Sequence, residues 1–72
     1  MPRKLRELRA DLRRAGWGID RQAGSHQIWK HPLVSGVEVN LAGRDGADAY
    51  PYQERDVREA VRLTREAQRR QP

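Results

Sequence analysis

Apolar residues near the N-terminus recur with the period of a helix. They follow one another at intervals of three, four and three residues, which places them on one stripe of a helical surface. The stripe consists of Leu5, Leu8, Leu12 and Ala15. This pattern predicts a first helix from about Arg3 to Ala15, ended by Gly16, because glycine commonly follows the last helical turn.

The next residues alternate between apolar and polar side chains, which is typical of strands. The sequence predicts a half-buried strand over Trp17–Arg21, a turn over Gln22–Ser25 and a second strand over His26–His31. Pro32 ends the second strand because proline has no amide hydrogen to donate to a sheet. Two strands joined by a short turn form an antiparallel hairpin.

A third strand, a loop and a second helix complete the pattern. Val37, Val39 and Leu41 alternate with polar residues and predict a strand with one apolar face. The segment Ala42–Tyr50 has no apolar period and is predicted to be a loop. A second helix is predicted to begin near Pro51–Gln53. Its apolar side consists of Val57, Ala60, Val61, Thr64 and Ala67.

These elements predict an α+β fold in the order α-β-β-β-α. Two helices can cover one face of a three-stranded antiparallel sheet, which gives a two-layer sandwich. No repeat, linker or change of composition divides the chain, so residues 1–72 are predicted to form a single domain.

Charge and composition narrow the class of partner. Fifteen Lys and Arg residues against ten Asp and Glu give a net charge of +5, which favours nucleic acid or an acidic protein surface. The chain has no cysteine, so neither a disulfide nor a thiolate metal site supplements its core. No apolar run approaches the roughly 20 residues of a membrane span. We therefore expect a cytoplasmic protein with no membrane partner.

The residue types argue against several kinds of active site. Without cysteine, and without an acid placed behind a serine and a histidine, a nucleophilic triad is not expected. His26 and His31 lie five positions apart in one predicted strand and point to opposite faces, so they are not expected to share a metal ion. We expect no metal site and no cofactor.

His26, at the junction of a turn and a strand, suits acid–base chemistry on a phosphodiester. Imidazole has a reference pKa of about 6.5 and exchanges protons near neutral pH. A nuclease without a metal ion takes its nucleophile from the substrate, and RNA provides the 2′-hydroxyl that DNA lacks. A histidine in a strand is by itself more often structural than catalytic. Its sequence context decides between the two.

Two stretches of the chain resemble the HicA toxin family. Leu12–Trp17 ends in Ala-Gly-Trp, and Asp20–Pro32 contains an Arg-Gln-x-Gly-Ser-His turn followed by an Ile-aromatic-basic-His-Pro strand. The resemblance implies a fold like the double-stranded-RNA-binding domain. It also implies the toxin of a type II toxin–antitoxin system, an mRNA interferase held inactive by a HicB-type antitoxin. The family's motif falls on Gly24, Ser25 and His26, with His26 as the catalytic residue.

The resemblance covers about Leu5 to Leu41 and is weaker afterwards. Relatives have a short basic loop with a histidine and a Gly-Thr-Leu entry to the last helix. This chain has Ala42–Tyr50 followed by Pro51-Tyr52-Gln53-Glu54. The resemblance therefore leaves substrate preference and antitoxin pairing open.

Further residues are candidates for binding RNA. Ser25 either orients the phosphate or the imidazole, or is an ordinary turn residue, and Gly24 precedes it in the motif. Arg21, Lys30 and Arg44 are expected to neutralise the phosphate, unless they are solubilising surface charges.

The orientation of the second strand affects the location of the site. If Ile28 faces the helices, His26 and Lys30 share its side and the site lies at the margin of the sheet. Trp29 is then exposed, where it offers a platform for a base, covers the small sheet or contacts the antitoxin. His31, before Pro32, is expected to be structural or peripheral.

Two other functions remain open at this point: a noncatalytic RNA-binding module of the same fold, and a protein-interaction partner. The predicted second helix also has an arginine stripe, formed by Arg55, Arg58, Arg62, Arg65 and Arg69. The four-apart pairs Glu54–Arg58 and Arg62–Glu66 favour a solvated face, although RNA and an acidic antitoxin are alternative partners for the stripe.

Overall fold

The computed structural model describes residues 1–71 and confirms the predicted order of elements. The helices and strands are α1 (Leu5–Arg14), β1 (Gly18–Ala23), β2 (His26–Lys30), β3 (Val39–Ala42) and α2 (Pro51–Arg69). The strands form one antiparallel sheet in the order β1-β2-β3, and burial alternates along β2 and β3. The fold is a two-layer α+β sandwich, consistent with a fold like the double-stranded-RNA-binding domain.

The core lies between the sheet and the two helices. It consists of Leu5, Leu8, Leu12, Trp17, Trp29, Val34, Val39, Leu41, Ala49, Val57 and Ala60. All three leucines of the predicted α1 stripe are buried, and Ala15 packs against the margin of the core. Neither helix is long and apolar enough to cross a membrane, as far as residues 1–71 are concerned.

Trp17 is a core residue rather than the first residue of β1. Gly16, at φ +93°, ends α1 as predicted, and the Trp17 side chain behind it is 3% exposed. The indole Nε1–H of Trp17 donates a hydrogen bond to the Thr64 hydroxyl of α2 at 2.7 Å. The strand predicted from Trp17 therefore begins at Gly18.

The prediction that β1 is half-buried is wrong, because all six of its residues are exposed. β1 is an edge strand of the sheet, and α2 packs on β3 at the other edge. The pairing with β2 shifts between Ile19 and Arg21, which makes Asp20 a β-bulge. Beyond the bulge, Arg21 pairs with Ile28 and lies on the face away from the helices.

The face of β2 that packs against the helices contains Gln27 and Trp29, and not Ile28. Gln27 and Trp29 are buried, whereas His26 and Lys30 are exposed and Ile28 is half-buried. Trp29 is 1% exposed in the core, with the guanidinium of Arg13 lying 5.3 Å from the centre of its ring. Ile28 does not face the helices, so the condition under which Trp29 is exposed and the site lies at the sheet margin is not met.

β3 is shorter than predicted. It begins at Val39, which pairs with Trp29, and ends at Ala42, which pairs with His26. Val37 lies before the strand and packs against the core only partly buried. The predicted start at Val37 is wrong because the chain is still leaving a turn, in which the Val34 amide donates to the carbonyl of His31.

The loop after β3 is fastened to the N-terminus of α1. The amides of Leu5 and Arg6 donate to the carbonyls of Ala47 and Asp45 at 3.0 and 3.1 Å. These bonds satisfy amides that the first turn of a helix leaves without partners. Gly43 is required at the start of the loop, since its φ is +126° and a Cβ atom there would lie 2.5 Å from the Leu5 side chain.

Gln53 fastens the N-terminus of α2 to the end of β3. Its side chain is 2% exposed, and its Oε1 accepts a hydrogen bond from the Tyr50 amide at 2.8 Å. Its Nε2 donates to the carbonyl of Ala42 at 3.2 Å. Pro51 occupies the first helical position, where a missing amide hydrogen loses no helical bond.

Candidate active site

His26 is the first residue of β2, and its side chain lies on the face of the sheet that the helices leave open. Its cross-strand neighbours are Ala23 of β1 and Ala42 of β3, whose side chains are too small to cover the imidazole. The ring borders a shallow depression of about 210 Å³. The depression is lined by Arg21, Gln22, Ala23, His26 and Ile28.

The turn before His26 is formed by Gly24 and Ser25. Gly24 has φ +60° whereas Ser25 has an ordinary negative φ, the combination found in type II′ hairpin turns. The side-chain amide of Gln22 donates to the Gly24 carbonyl at 3.0 Å and stabilises the turn. Ser25 is exposed beside His26, so the motif residues predicted from the sequence are adjacent on the surface.

Two of the three predicted cations are already paired with carboxylates. Arg21 lies 2.8 Å from Glu38 and 3.2 Å from Asp20. Lys30 lies 3.4 Å from Glu38 and 3.6 Å from Asp20. Lys30 is also four residues from His26 along β2, or roughly 13 Å at the usual rise of a strand. The structure therefore does not bring Lys30 to His26, whereas Arg21 borders the same depression.

Arg44 is the predicted cation that remains available at the His26 end of the sheet. It is exposed two residues beyond Ala42, the cross-strand partner of His26. Within residues 1–71 no carboxylate lies in ion-pair distance of Arg44, and its neighbour Asp45 pairs with Arg9 instead. An uncompensated guanidinium at this position can bind a phosphate without first losing a carboxylate partner.

Comparison with protein-family models gives a match that covers residues 5–63. The matching family is described as the HicA toxin of bacterial toxin–antitoxin systems. This chain belongs to the HicA toxin family. Neither the search of curated proteins nor that of solved structures returned a match.

The HicA match is longer than the sequence resemblance, which was clear only to Leu41. It includes the whole sheet, with His26 and the Gly24–Ser25 turn, and continues into α2. The loop that contains Arg44 thus lies within the matched region. The toxin assignment therefore rests on most of the fold.

Beneath the sheet, a buried arginine of this HicA-family chain supports the His26 end. Arg9 of α1 is 4% exposed, and its Nε–H donates to the Oε1 of Gln27 at 2.8 Å. Its other nitrogens donate to the Gly43 carbonyl at 2.7 Å and to Asp45 at 2.5 Å. Arg9 thus joins the neighbour of His26 to both neighbours of Arg44 in the chain.

Sequence reasoning missed Arg9 because charged residues are rarely buried. A signal was nevertheless present, since Arg9 lies four residues after Leu5 and one after Leu8, within the width of the apolar stripe. A charged residue at such a position indicates a buried polar network.

His31 is structural, as expected. It is 9% exposed and packs against Trp17, with the two ring centres 5.6 Å apart. Its Nδ1 accepts a hydrogen bond from the Leu33 amide, and its Nε2 lies 3.0 Å from the Ala15 carbonyl, to which it donates. His31 is therefore a buried residue with hydrogen-bond partners, whereas His26 is exposed. No group of three or more potential metal-binding side chains is found among residues 1–71.

The arginine stripe of α2 is partly neutralised by carboxylates on the same helix. Arg62 pairs with Glu59 and, at 2.6 Å, with Glu66, which confirms one predicted pair. The hydrogen bond from Arg62 lowers the pKa of Glu59. Glu54 instead accepts a hydrogen bond from the backbone amide of Arg3 at 3.4 Å. The predicted Glu54–Arg58 pair is wrong, because the N-terminal segment reaches Glu54 first.

Proposed function

We propose that this HicA-family toxin is an endoribonuclease that cleaves mRNA without a metal ion, with His26 as catalytic acid or base. The observation that carries the proposal is the exposure of the His26 ring between Ala23 and Ala42 on the open face of the sheet. An RNA strand can reach the imidazole there without displacing any core side chain. Proton transfer requires such direct contact with the reacting group.

The reaction uses the 2′-hydroxyl of the substrate as nucleophile. Its oxygen bonds to the adjacent phosphorus, the bond from phosphorus to the 5′-oxygen breaks, and the products carry a 2′,3′-cyclic phosphate and a 5′-hydroxyl. His26 either removes the proton of the 2′-hydroxyl or gives a proton to the departing 5′-oxygen. Water accepts or supplies the other proton, so that atoms and charge balance.

The cations near His26 provide the electrostatic part of the proposal. Arg44 holds the scissile or a neighbouring phosphate, and Arg21, which lines the depression beside His26, joins it when the phosphate replaces Glu38 as its partner. The Gly24–Ser25 turn lies against the same phosphate. Lys30 contacts a more distant part of the RNA backbone.

A HicB-type antitoxin is the proposed inhibitor, acting in the cytoplasm, where mRNA is found. The open face of the sheet is the surface that such a protein has to cover in order to exclude RNA from His26. Binding of RNA and of the antitoxin should therefore be mutually exclusive. A competition experiment with labelled RNA measures this directly.

The test of the proposed function is cleavage of single-stranded RNA by purified protein in excess EDTA. Wild type should produce fragments with 2′,3′-cyclic phosphate ends, whereas His26→Ala should lose at least roughly 100-fold in rate, the usual range for a general acid or base. Circular dichroism checks that both proteins are folded, and Asn40→Ala, at an exposed position on the same face of the sheet, serves as the control.

Each result has a distinct meaning. If both proteins bind RNA and neither cleaves it, the chain is a noncatalytic RNA-binding module. If neither binds RNA at about 50 mM salt, where phosphate contacts are strong, the chain is a protein-interaction partner. Equal cleavage by wild type and His26→Ala shows that His26 is not the catalytic residue.

A further inference from the structure

Two tyrosines at the start of α2 are exposed and stacked on each other. Tyr50 is 65% exposed and Tyr52 is 50% exposed. Their ring centres lie 6.0 Å apart and their planes differ by 11°. Aromatic rings of this size usually gain free energy from burial. Their position on the surface, with parallel planes, leaves aromatic faces available for a flat partner.

The tyrosine pair lies at the His26 end of the sheet. Tyr50 is held by Gln53, which also bonds to Ala42, and Ala42 pairs with His26 across the strands. Two hydrogen bonds and one cross-strand pairing thus connect the tyrosine pair to His26. The segment that joins β3 to the tyrosines contains Arg44. Along the chain, Arg44 therefore lies between Ala42, the cross-strand partner of His26, and the two tyrosines.

We propose that Tyr50 and Tyr52 form a stacking platform for an unpaired RNA base close to the scissile phosphate. The proposal rests on the proposed function, because it assigns a base-binding subsite to the same RNA. The chain has a net charge of +5, and Arg44, in the segment that joins β3 to the platform, has no carboxylate partner within residues 1–71. A phosphate backbone matches that charge, whereas an apolar protein surface on the tyrosines leaves Arg44 unused.

Stacking also determines what kind of RNA is cut. Every base has an aromatic face, so the platform selects single-stranded over paired RNA with little discrimination among bases. The bases of a double helix are already stacked within it and are not available to the tyrosines. The toxin should therefore cleave loops and unpaired segments in preference to paired regions.

The experiment uses the His26→Ala chain, so that RNA is bound but not cut, and a single-stranded oligonucleotide with 2-aminopurine placed at one position at a time. The fluorescence of 2-aminopurine is quenched when it stacks. In this background we compare the unchanged tyrosines with Tyr50→Ala/Tyr52→Ala and with Tyr50→Phe/Tyr52→Phe. Leu33→Ala removes a comparably exposed apolar side chain, 39% exposed, at the opposite end of β2 and is the matched control.

The expected result is quenching at one or two adjacent positions that the alanine pair abolishes and the phenylalanine pair retains. RNA affinity should fall roughly 10-fold in the alanine pair, as loss of base stacking predicts, and should not change in Leu33→Ala. With His26 restored, the alanine pair should raise KM by a similar factor while kcat stays within about twofold.

Three results overturn the inference. Unchanged affinity and quenching in the alanine pair remove the platform but leave His26 and RNA cleavage intact. Unchanged RNA binding together with loss of antitoxin binding makes the tyrosines a protein contact. Absence of RNA binding by the chain with unchanged tyrosines overturns the platform and the proposed function together.

Discussion

The two ends of the open face of the sheet differ in what surrounds their charged groups. At one end His26 lies between two alanines, and Arg44 has no carboxylate partner within residues 1–71. At the other end Lys30 shares Asp20 and Glu38 with Arg21. A basic residue near the motif is thus not sufficient to mark a phosphate site, because a neighbouring carboxylate already neutralises it.

The largest effect on activity is expected from crowding the His26 end. In Ala42→Leu a bulky side chain lies across the strand from the imidazole, and we expect roughly a 100-fold loss of RNA cleavage from misplacement of the reacting groups. Ala42 is exposed, so the fold should be retained. Asn40→Leu places the same side chain next to Ile28 instead and should cost less than about fivefold. Equal losses in the two variants would show that the open space around His26, between Ala23 and Ala42, is not needed for cleavage.

The next effect concerns the buried support of the same end. Arg9→Met removes the donors to Gln27 and the Gly43 carbonyl, and we expect a loss of about 2 kcal/mol in the free energy of unfolding. Urea denaturation measures the loss. The matched change Arg6→Met, at an exposed position of the same helix, should alter stability by less than about 0.5 kcal/mol. Similar losses in both would mean that the Arg9 network does not stabilise the fold.

A smaller effect is expected from removing the available cation. Arg44→Ala should weaken RNA binding roughly 5- to 10-fold and reduce the slope of log affinity against log salt by about one. Lys30→Ala should change affinity less than about twofold, since Lys30 is already paired. A larger effect in Lys30→Ala than in Arg44→Ala would show that RNA phosphate binds at the Lys30 end of the face and not at the His26 end.

The smallest effect comes from releasing the paired cations. Glu38→Gln removes a shared carboxylate from Arg21 and Lys30 and raises the net charge from +5 to +6, since one negative charge is lost. RNA affinity should rise about two- to threefold, because exposed ion pairs are weak. Filter binding at two salt concentrations measures this. A fall in affinity would show that Glu38 orients Arg21 for RNA rather than neutralising it.

Much of the fold follows from local patterns in the sequence. The leucine stripe predicts α1, glycine predicts its end, and proline predicts both the end of β2 and the entry to α2. The errors occur where tertiary packing overrides a short pattern. Trp17 fits the alternation of β1 but lies in the core, where it donates a hydrogen bond to Thr64 of α2. Val37 fits the alternation of β3 but lies before Val39, where the pairing of β3 with β2 begins.

The candidate site is harder to predict, because a motif names residues without their surroundings. The sequence identifies the consecutive residues Gly24, Ser25 and His26, and in the structure they form the turn from β1 into β2. The sequence could not reveal that Glu38 neutralises Arg21 and Lys30. That contact brings together residues from separate parts of the chain, and it depends on the bulge in β1. The orientation of β2 was also undetermined, because Ile28 and Trp29 are both apolar and either can face the helices.

We propose that His26 acts in the chemical step rather than in binding RNA. The most direct test measures RNA affinity and single-turnover cleavage for wild type and His26→Ala under the same conditions. We expect affinity to stay within about threefold while the cleavage rate falls at least roughly 100-fold. A parallel loss of affinity with no further loss in the rate for bound RNA would contradict it and make His26 a binding residue.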